Sequence, residues 1–162
     1  MSDLKDLATH IFLESLRAIE PGSMIKEKLR VDAGVLSFGG HQIALDRYGE
    51  VVLVGLGKAS VMMGAAVEAL LGDRIKRGIL ATNHRFEIDV RAEVVVAGHP
   101  LPDLESLRAG QQMAALVKSC SADSLIVFLI SGGGSSLARD SRKAITIVAM
   151  SANPSTVQTY FR

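Results

Sequence analysis

The apolar run 125–130 (LIVFLI) stops abruptly at Ser131 and three consecutive glycines, Gly132, Gly133 and Gly134, and no other feature narrows the fold of this chain so far. A strand that is apolar on both faces must be covered on both faces. That is the condition of a parallel strand inside an α/β sheet, not of a surface strand with one wet side. Glycines directly behind such a strand permit backbone geometries and close approaches that a Cβ forbids. In open α/β sheets, ligands bind beyond the carboxyl ends of the strands, and glycine-rich turns there aim backbone N–H groups at anions. The segment 131–136 (SGGGSS) is therefore expected to hold a phosphate or a carboxylate, with Ser131, Ser135 and Ser136 as further hydrogen-bonding groups. A glycine-rich connection that binds nothing is the competing reading.

A second segment has the same design. Residues 51–54 (VVLV) are wholly apolar and open into Gly55-Leu56-Gly57-Lys58-Ala59-Ser60, after which 61–71 is rich in Ala, Met and Leu, with Glu68 its one charge. The order is strand, glycine turn with a lysine, then a helix suited to packing on a sheet, with Gly72 placed to end it. An anion beside Lys58 would meet the ammonium, the unpaired N–H groups of the helix N-terminus and the positive end of its dipole. Gly55 and Gly57 are accordingly candidate phosphate-binding positions. This is not a Walker A loop, because Gly55 lies three residues before Lys58 and Ala59 replaces the magnesium-binding hydroxyl. Nor is it a dinucleotide fingerprint, since Ser60 stands where the third glycine belongs. A solvated surface lysine is the competing reading of Lys58.

At 162 residues the chain is long enough for one domain with a real core, burying about two-thirds of its unfolded surface if compact. A hydrophobic content of 48% argues against disorder. With 18 basic and 17 acidic residues, no basic block and no tryptophan, a nucleic-acid surface has no support. Cys120 is the single cysteine, which excludes a disulfide framework and suggests a structural thiol at a helix end. No apolar run reaches membrane-spanning length, and the amphipathic, acidic start MSDLKDLATHIF does not read as a signal or transit peptide. The expected setting is soluble and cytoplasmic.

The remaining pattern alternates helix and strand. Leu4, Ala8, Ile11, Phe12, Ser15 and Ile19 recur at helical spacing, with Pro21-Gly22 ending that helix and a second helical stretch over 23–28. Residues 35–45 contain Gly39-Gly40 between apolar pairs and predict a small hairpin. Short strands are expected over 78–82 and 93–97. Asp103 is a natural N-cap for a helix with Glu105 in its first turn and Leu104, Leu107, Ala114 and Val117 on its buried face. The expected architecture is a doubly wound, Rossmann-like parallel sheet with right-handed crossovers.

Three segments together, VVLVGLGKAS (51–60), AGHPLPD (97–103) and FLISGGGSSL (128–137), resemble the glycerate 2-kinase family, also called the MOFRL family, in both order and spacing. The resemblance implies ATP-dependent phosphorylation of D-glycerate at its 2-hydroxyl, with magnesium, at a cleft between a doubly wound domain and a smaller one. It also implies that Lys58 matches the family's active-site lysine and Ser131–Ser136 its glycine-rich loop. The residues agree, because phosphoryl transfer asks a protein mainly for positioning and neutralisation of phosphate oxygens. Lys58 would neutralise either the glycerate carboxylate or the transferred phosphoryl group. A serine nucleophile is disfavoured, since Leu137 stands where the second glycine of an elbow around Ser135 belongs. His99 either faces the cleft or is solvated or bonded to backbone, and the residues favour the second reading. His10, His41 and His84 lack metal-ligand spacing.

The resemblance covers residues 1–137. The tail ARDSRKAITIVAMSANPSTVQTYFR carries no family feature, so 138–162 is expected to be irregular, the product of a truncation or frameshift near Leu137. Magnesium ligands, a base for the glycerate hydroxyl and the second wall of the cleft would then lie elsewhere, and the expected activity is impaired. A sheet cut short would expose an edge and apolar surface, favouring self-association. The alternative is a non-catalytic α/β module that binds a phosphate or sugar-acid anion at the glycine loops. Asp123 and Asp140 flank the strand and loop without the spacing of a magnesium pair.

Overall fold

A computed structural model of the chain describes residues 2–18 and 20–138; Ile19 and the tail beyond Ala138 lie outside the described residues. The elements run α1 (Ser2–Ala18), α2 (Pro21–Lys28), β1 (Leu29–Asp32), β2 (Val35–Phe38), β3 (His41–Ala44), β4 (Glu50–Leu56), α3 (Ser60–Leu71), β5 (Ile75–Thr82), β6 (Glu93–Val96), α4 (Leu104–Lys118), β7 (Ser124–Ile130) and α5 (Gly134–Leu137). Four of the strands form a wholly parallel sheet in the order β6-β5-β4-β7, and β1, β2 and β3 form a separate antiparallel sheet.

The α/β class is as expected, and the reason is visible in β4. Val51 and Leu53 point to one face, where α3 supplies Val61, Val67 and Leu71 and the small sheet supplies Leu36. Val52, Val54 and Leu56 point to the other, where α4 supplies Ala109 and Met113. With both faces covered, alternation of side chains yields an unbroken apolar run. Glu68 on α3 accepts the Arg91 and Ala92 N–H groups at 2.8 and 2.9 Å, which ties the helix-free crossover between β5 and β6 onto the core.

Several boundaries differ from the sequence reading. Pro21 begins α2 as well as following α1, because a proline at the first helical position costs no hydrogen bond, and Glu20 caps it by accepting the Gly22 and Ser23 N–H groups at 2.8 and 2.6 Å. β1 is an addition: Ala33 and Gly34, both at positive φ, turn it into β2, just as Gly39 and Gly40 turn β2 into β3. The buried stripe of α4 is Ser106, Ala109, Gly110 and Met113, whereas the expected Leu104 is 81% exposed. Leu104 sits two positions before Ser106, about 200° around the helix, and the small side chains are what let α4 approach the sheet. On α1, Leu4, Ile11 and Phe12 are 73%, 56% and 61% exposed. Among the described residues β7 pairs only with β4, leaving a free edge where Ile130 is 52% exposed.

Candidate functional site at the glycine turns

The strand order locates the site. From β4 the chain moves outward through β5 to β6, then returns past β4 to lay down β7 on its other side. This reversal is a topological switch point, where crossovers diverge and leave a crevice at the carboxyl edge. The two adjacent strands at that point, β4 and β7, are the two that end in glycine turns.

The turns are laced together. Ser131 N–H donates to Leu56 C=O at 3.0 Å, Lys58 N–H to Gly132 C=O at 2.9 Å, and Gly57 N–H to Ala81 C=O at 3.1 Å. The Ser131 hydroxyl accepts Ala59 N–H at 3.0 Å, and the buried Ser60 hydroxyl donates to Ala81 C=O at 2.8 Å. Gly57 is indispensable here: its φ is 121°, and a Cβ would fall 2.5 Å from the Ser131 carbonyl oxygen.

The expected site residues divide into those that build and those that face outward. Gly55 lies inside β4, not in the turn, and a Cβ there would stand 2.5 Å from Leu80 Cδ2, so it serves helix–sheet packing. Gly134 is buried against Leu56. Ser136 donates its hydroxyl back to Gly133 C=O at 2.9 Å. Two donors expected to meet an anion at the start of α3 are already engaged: Ala59 N–H on Ser131, and Ser60 N–H on Gly57 C=O at 3.1 Å. Facing outward are Lys58, Gly132 and Ser135, all exposed, together with the half-buried Gly133. Among the described residues no carboxylate lies within ion-pair distance of the Lys58 ammonium, and the Gly132 and Gly133 N–H groups have no acceptor. Adjacent N–H groups without an acceptor, beside a lysine, are the parts from which anion-binding concavities are built.

A third segment reaches the same turn. Gly133 has φ 85°, and a Cβ there would stand 2.9 Å from both Cδ2 and Nε2 of His99 and 3.5 Å from Lys58 Cε. His99 thus stands beside the turn, half-buried, with its ring nitrogens still reaching solvent. The signal was the position of AGHPLPD directly behind a strand, at the same carboxyl edge. Asp103 caps α4 as expected, accepting Ser106 N–H at 2.9 Å; that bond, with a further one from Gly98 N–H, holds its carboxyl below the usual aspartate range.

Elsewhere, burial pushes the Cys120 thiol up, away from thiolate chemistry, in keeping with a structural role. Among the described residues no three His, Cys, Asp or Glu side chains group to hold a metal ion, and no helix is long and apolar enough to cross a membrane.

The chain's relatives bear on this site. The family model for a domain of unknown function, DUF4147, matches residues 7–156, and so runs through Leu137 into the tail. D-glycerate 2-kinase of Thermotoga maritima is 34% identical over 137 residues, covering 83% of this chain and 29% of that protein. The crystal structure of a glycerate kinase from Thermotoga maritima superimposes with a TM-score of 0.64 at 30% identity, covering 85% of this chain and 30% of the other. A protein of Pyrococcus horikoshii OT3 superimposes with a TM-score of 0.72 at 25% identity, over 83% of this chain and 30% of that one. The chain therefore spans under a third of the length of each of these proteins. By sequence and by fold, this chain belongs to the DUF4147 family and is a relative of the glycerate kinases.

Proposed function

We propose that this chain carries the anion-holding part of a glycerate 2-kinase site, for transfer of the γ-phosphoryl group of ATP to the 2-hydroxyl of D-glycerate. The observation that carries this reading is that Lys58, without a carboxylate partner among the described residues, stands beside Gly133, whose N–H and that of Gly132 have no acceptor among those residues. The relatives named glycerate kinase supply the reaction class. In the transfer, the glycerate oxygen bonds to the γ-phosphorus, the bond from that phosphorus to ADP breaks, and the hydroxyl proton leaves. The task of these turns is to neutralise charge and fix position: the glycine N–H groups hold oxygens in place, and the flexible lysine follows the charge. Among the described residues no group of three His, Cys, Asp or Glu side chains stands ready to hold magnesium, so the part of the task argued for these turns is carried by Lys58 and the glycine N–H groups alone.

A second reading, a module that holds a phosphate or sugar-acid anion without turning it over, draws on the exposure of Gly132, where among the described residues nothing lies within 4 Å of its would-be Cβ. ATP-dependent phosphorylation of D-glycerate by the purified chain, with Lys58→Ala as control, decides between them. Turnover abolished by the substitution supports the kinase. A folded chain that binds the anion and shows no turnover supports the module.

A further inference from the structure

We infer that His99 is a second anion-binding side chain of this site, donating a ring N–H to the same oxyanion that Lys58 and the Gly132–Gly133 turn hold. The inference rests on the anion-site reading above and adds to it a residue and a ligand shape: a compact anion with at least two oxygens, a carboxylate or a phosphoryl group.

Geometry comes first. His99 Nε2 and Lys58 Cε approach a single point beside Gly133, at 2.9 and 3.5 Å, and that point stays free only because residue 133 has no Cβ. Side chains from the β6–α4 connection and the β4–α3 turn therefore meet over the turn that follows β7. Second, among the described residues neither ring nitrogen of the half-buried imidazole has a protein hydrogen-bond partner, and neither is shut off from solvent, so both are available to a ligand.

Third, its loop is braced. Asp103 accepts Ser106 N–H at 2.9 Å while the Ser106 hydroxyl accepts Asp103 N–H at 3.1 Å. Ala97 N–H is fixed on Thr82 C=O at 2.8 Å, and a Cβ on Gly98 would stand 2.5 Å from Leu101 C=O. The ring is thus presented by backbone that has little room to move. Bonds from an imidazole or ammonium to an anion are roughly twice as strong as neutral ones. Donors arriving from three separate segments suit an anion with several oxygens rather than a single halide-like charge.

The alternative is that His99 merely packs on Gly133, and the test separates the two. Dissociation constants for inorganic phosphate and, separately, D-glycerate are measured by calorimetry on the full 162-residue chain, for wild type, His99→Ala, His99→Gln and Lys58→Ala. We expect His99→Ala to weaken binding about tenfold, His99→Gln, which keeps an N–H donor, to recover part of that, and melting without anion to stay near wild type. The ring ¹⁵N resonances of His99 in wild type should move on saturation with the anion, a readout that needs no variant to fold. Preference for phosphate over D-glycerate assigns a phosphoryl ligand, and the reverse assigns a carboxylate. Equal affinity in wild type and His99→Ala, or unmoved ¹⁵N resonances at saturation, overturns the role of His99 while Lys58→Ala can still report on the site. Failure of wild type to bind either anion overturns the site itself.

Discussion

The two glycine turns at the carboxyl edge look alike in sequence and are put to opposite uses. Behind β4, the turn is a joint. Gly55, still inside β4, is spent on packing beside Leu80, Gly57 on contact with Ser131, and the Lys58, Ala59 and Ser60 N–H groups are all engaged within the protein. Behind β7, the turn is a surface: Gly132 faces open space, and its N–H and that of Gly133 have no acceptor among the described residues. A glycine-rich loop therefore signals either close packing or an exposed row of donors, and only the neighbours decide which. Here the joint fixes the backbone of Lys58 while leaving its ammonium free to meet whatever the surface holds.

Substituting the joint should be costly. Gly57→Ala places a methyl group against Ser131 backbone, at a φ that L residues avoid, and a loss of about 3 kcal/mol is expected. For a domain of this size that lowers Tm by about 6–12 °C in calorimetry. A near-wild-type Tm would mean that the two turns are not rigidly joined. Gly55→Ala should cost less, about 2 kcal/mol, because the obstructing atom is a side chain that can shift. Adding Leu80→Val should then restore part of the lost Tm, which sharpens the distinction between a packing glycine and a turn glycine.

The same distinction explains what could be read without coordinates. The runs 51–54 and 125–130 identify parallel strands because each is apolar on both faces, and the glycines behind them mark turns near a ligand edge. Strand order was not legible: nothing local says that β7 pairs with β4 and not with β6, since that depends on which face α4 covers. Without that pairing, Gly55 and Gly57 look equivalent, and His99 has no visible neighbour at Gly133. Leu104 was misplaced for a related reason. A leucine at helical spacing suggests a buried face, but α4 meets the sheet through Ala109 and Gly110, whose small size the contact demands.

The brace under His99 should show itself through pH. Hydrogen bonds to the ionised Asp103 carboxyl, first from Ser106 N–H and then from Gly98 N–H, lower its folded-state pKa. The unfolded group titrates near 3.9, so the stabilisation is fully present above about pH 5 and is lost as the pH falls through the folded value. Asp103→Asn should melt nearly as wild type in strong acid and below wild type at neutral pH, a modest gap because the carboxyl is solvent-exposed. A constant gap across that range would show that the brace does not depend on charge.

The smallest effects on stability belong to the surface turn, and there they are most informative. A methyl group on Gly132 meets nothing within 4 Å among the described residues, and Lys58 is exposed, so Gly132→Ala and Lys58→Ala should each leave the stability without anion within about 0.5 kcal/mol of wild type. Their phosphate-dependent stabilisation should nevertheless differ from wild type, since a ligand bound only by the folded chain raises Tm by mass action. Lys58→Ala removes the charge and should abolish most of that rise. Gly132→Ala puts a methyl group where an oxygen would approach the free N–H groups, and should reduce it. If phosphate raises the Tm of all three proteins equally, the open turn is a turn and nothing more, and the contrast with the joint is one of packing alone.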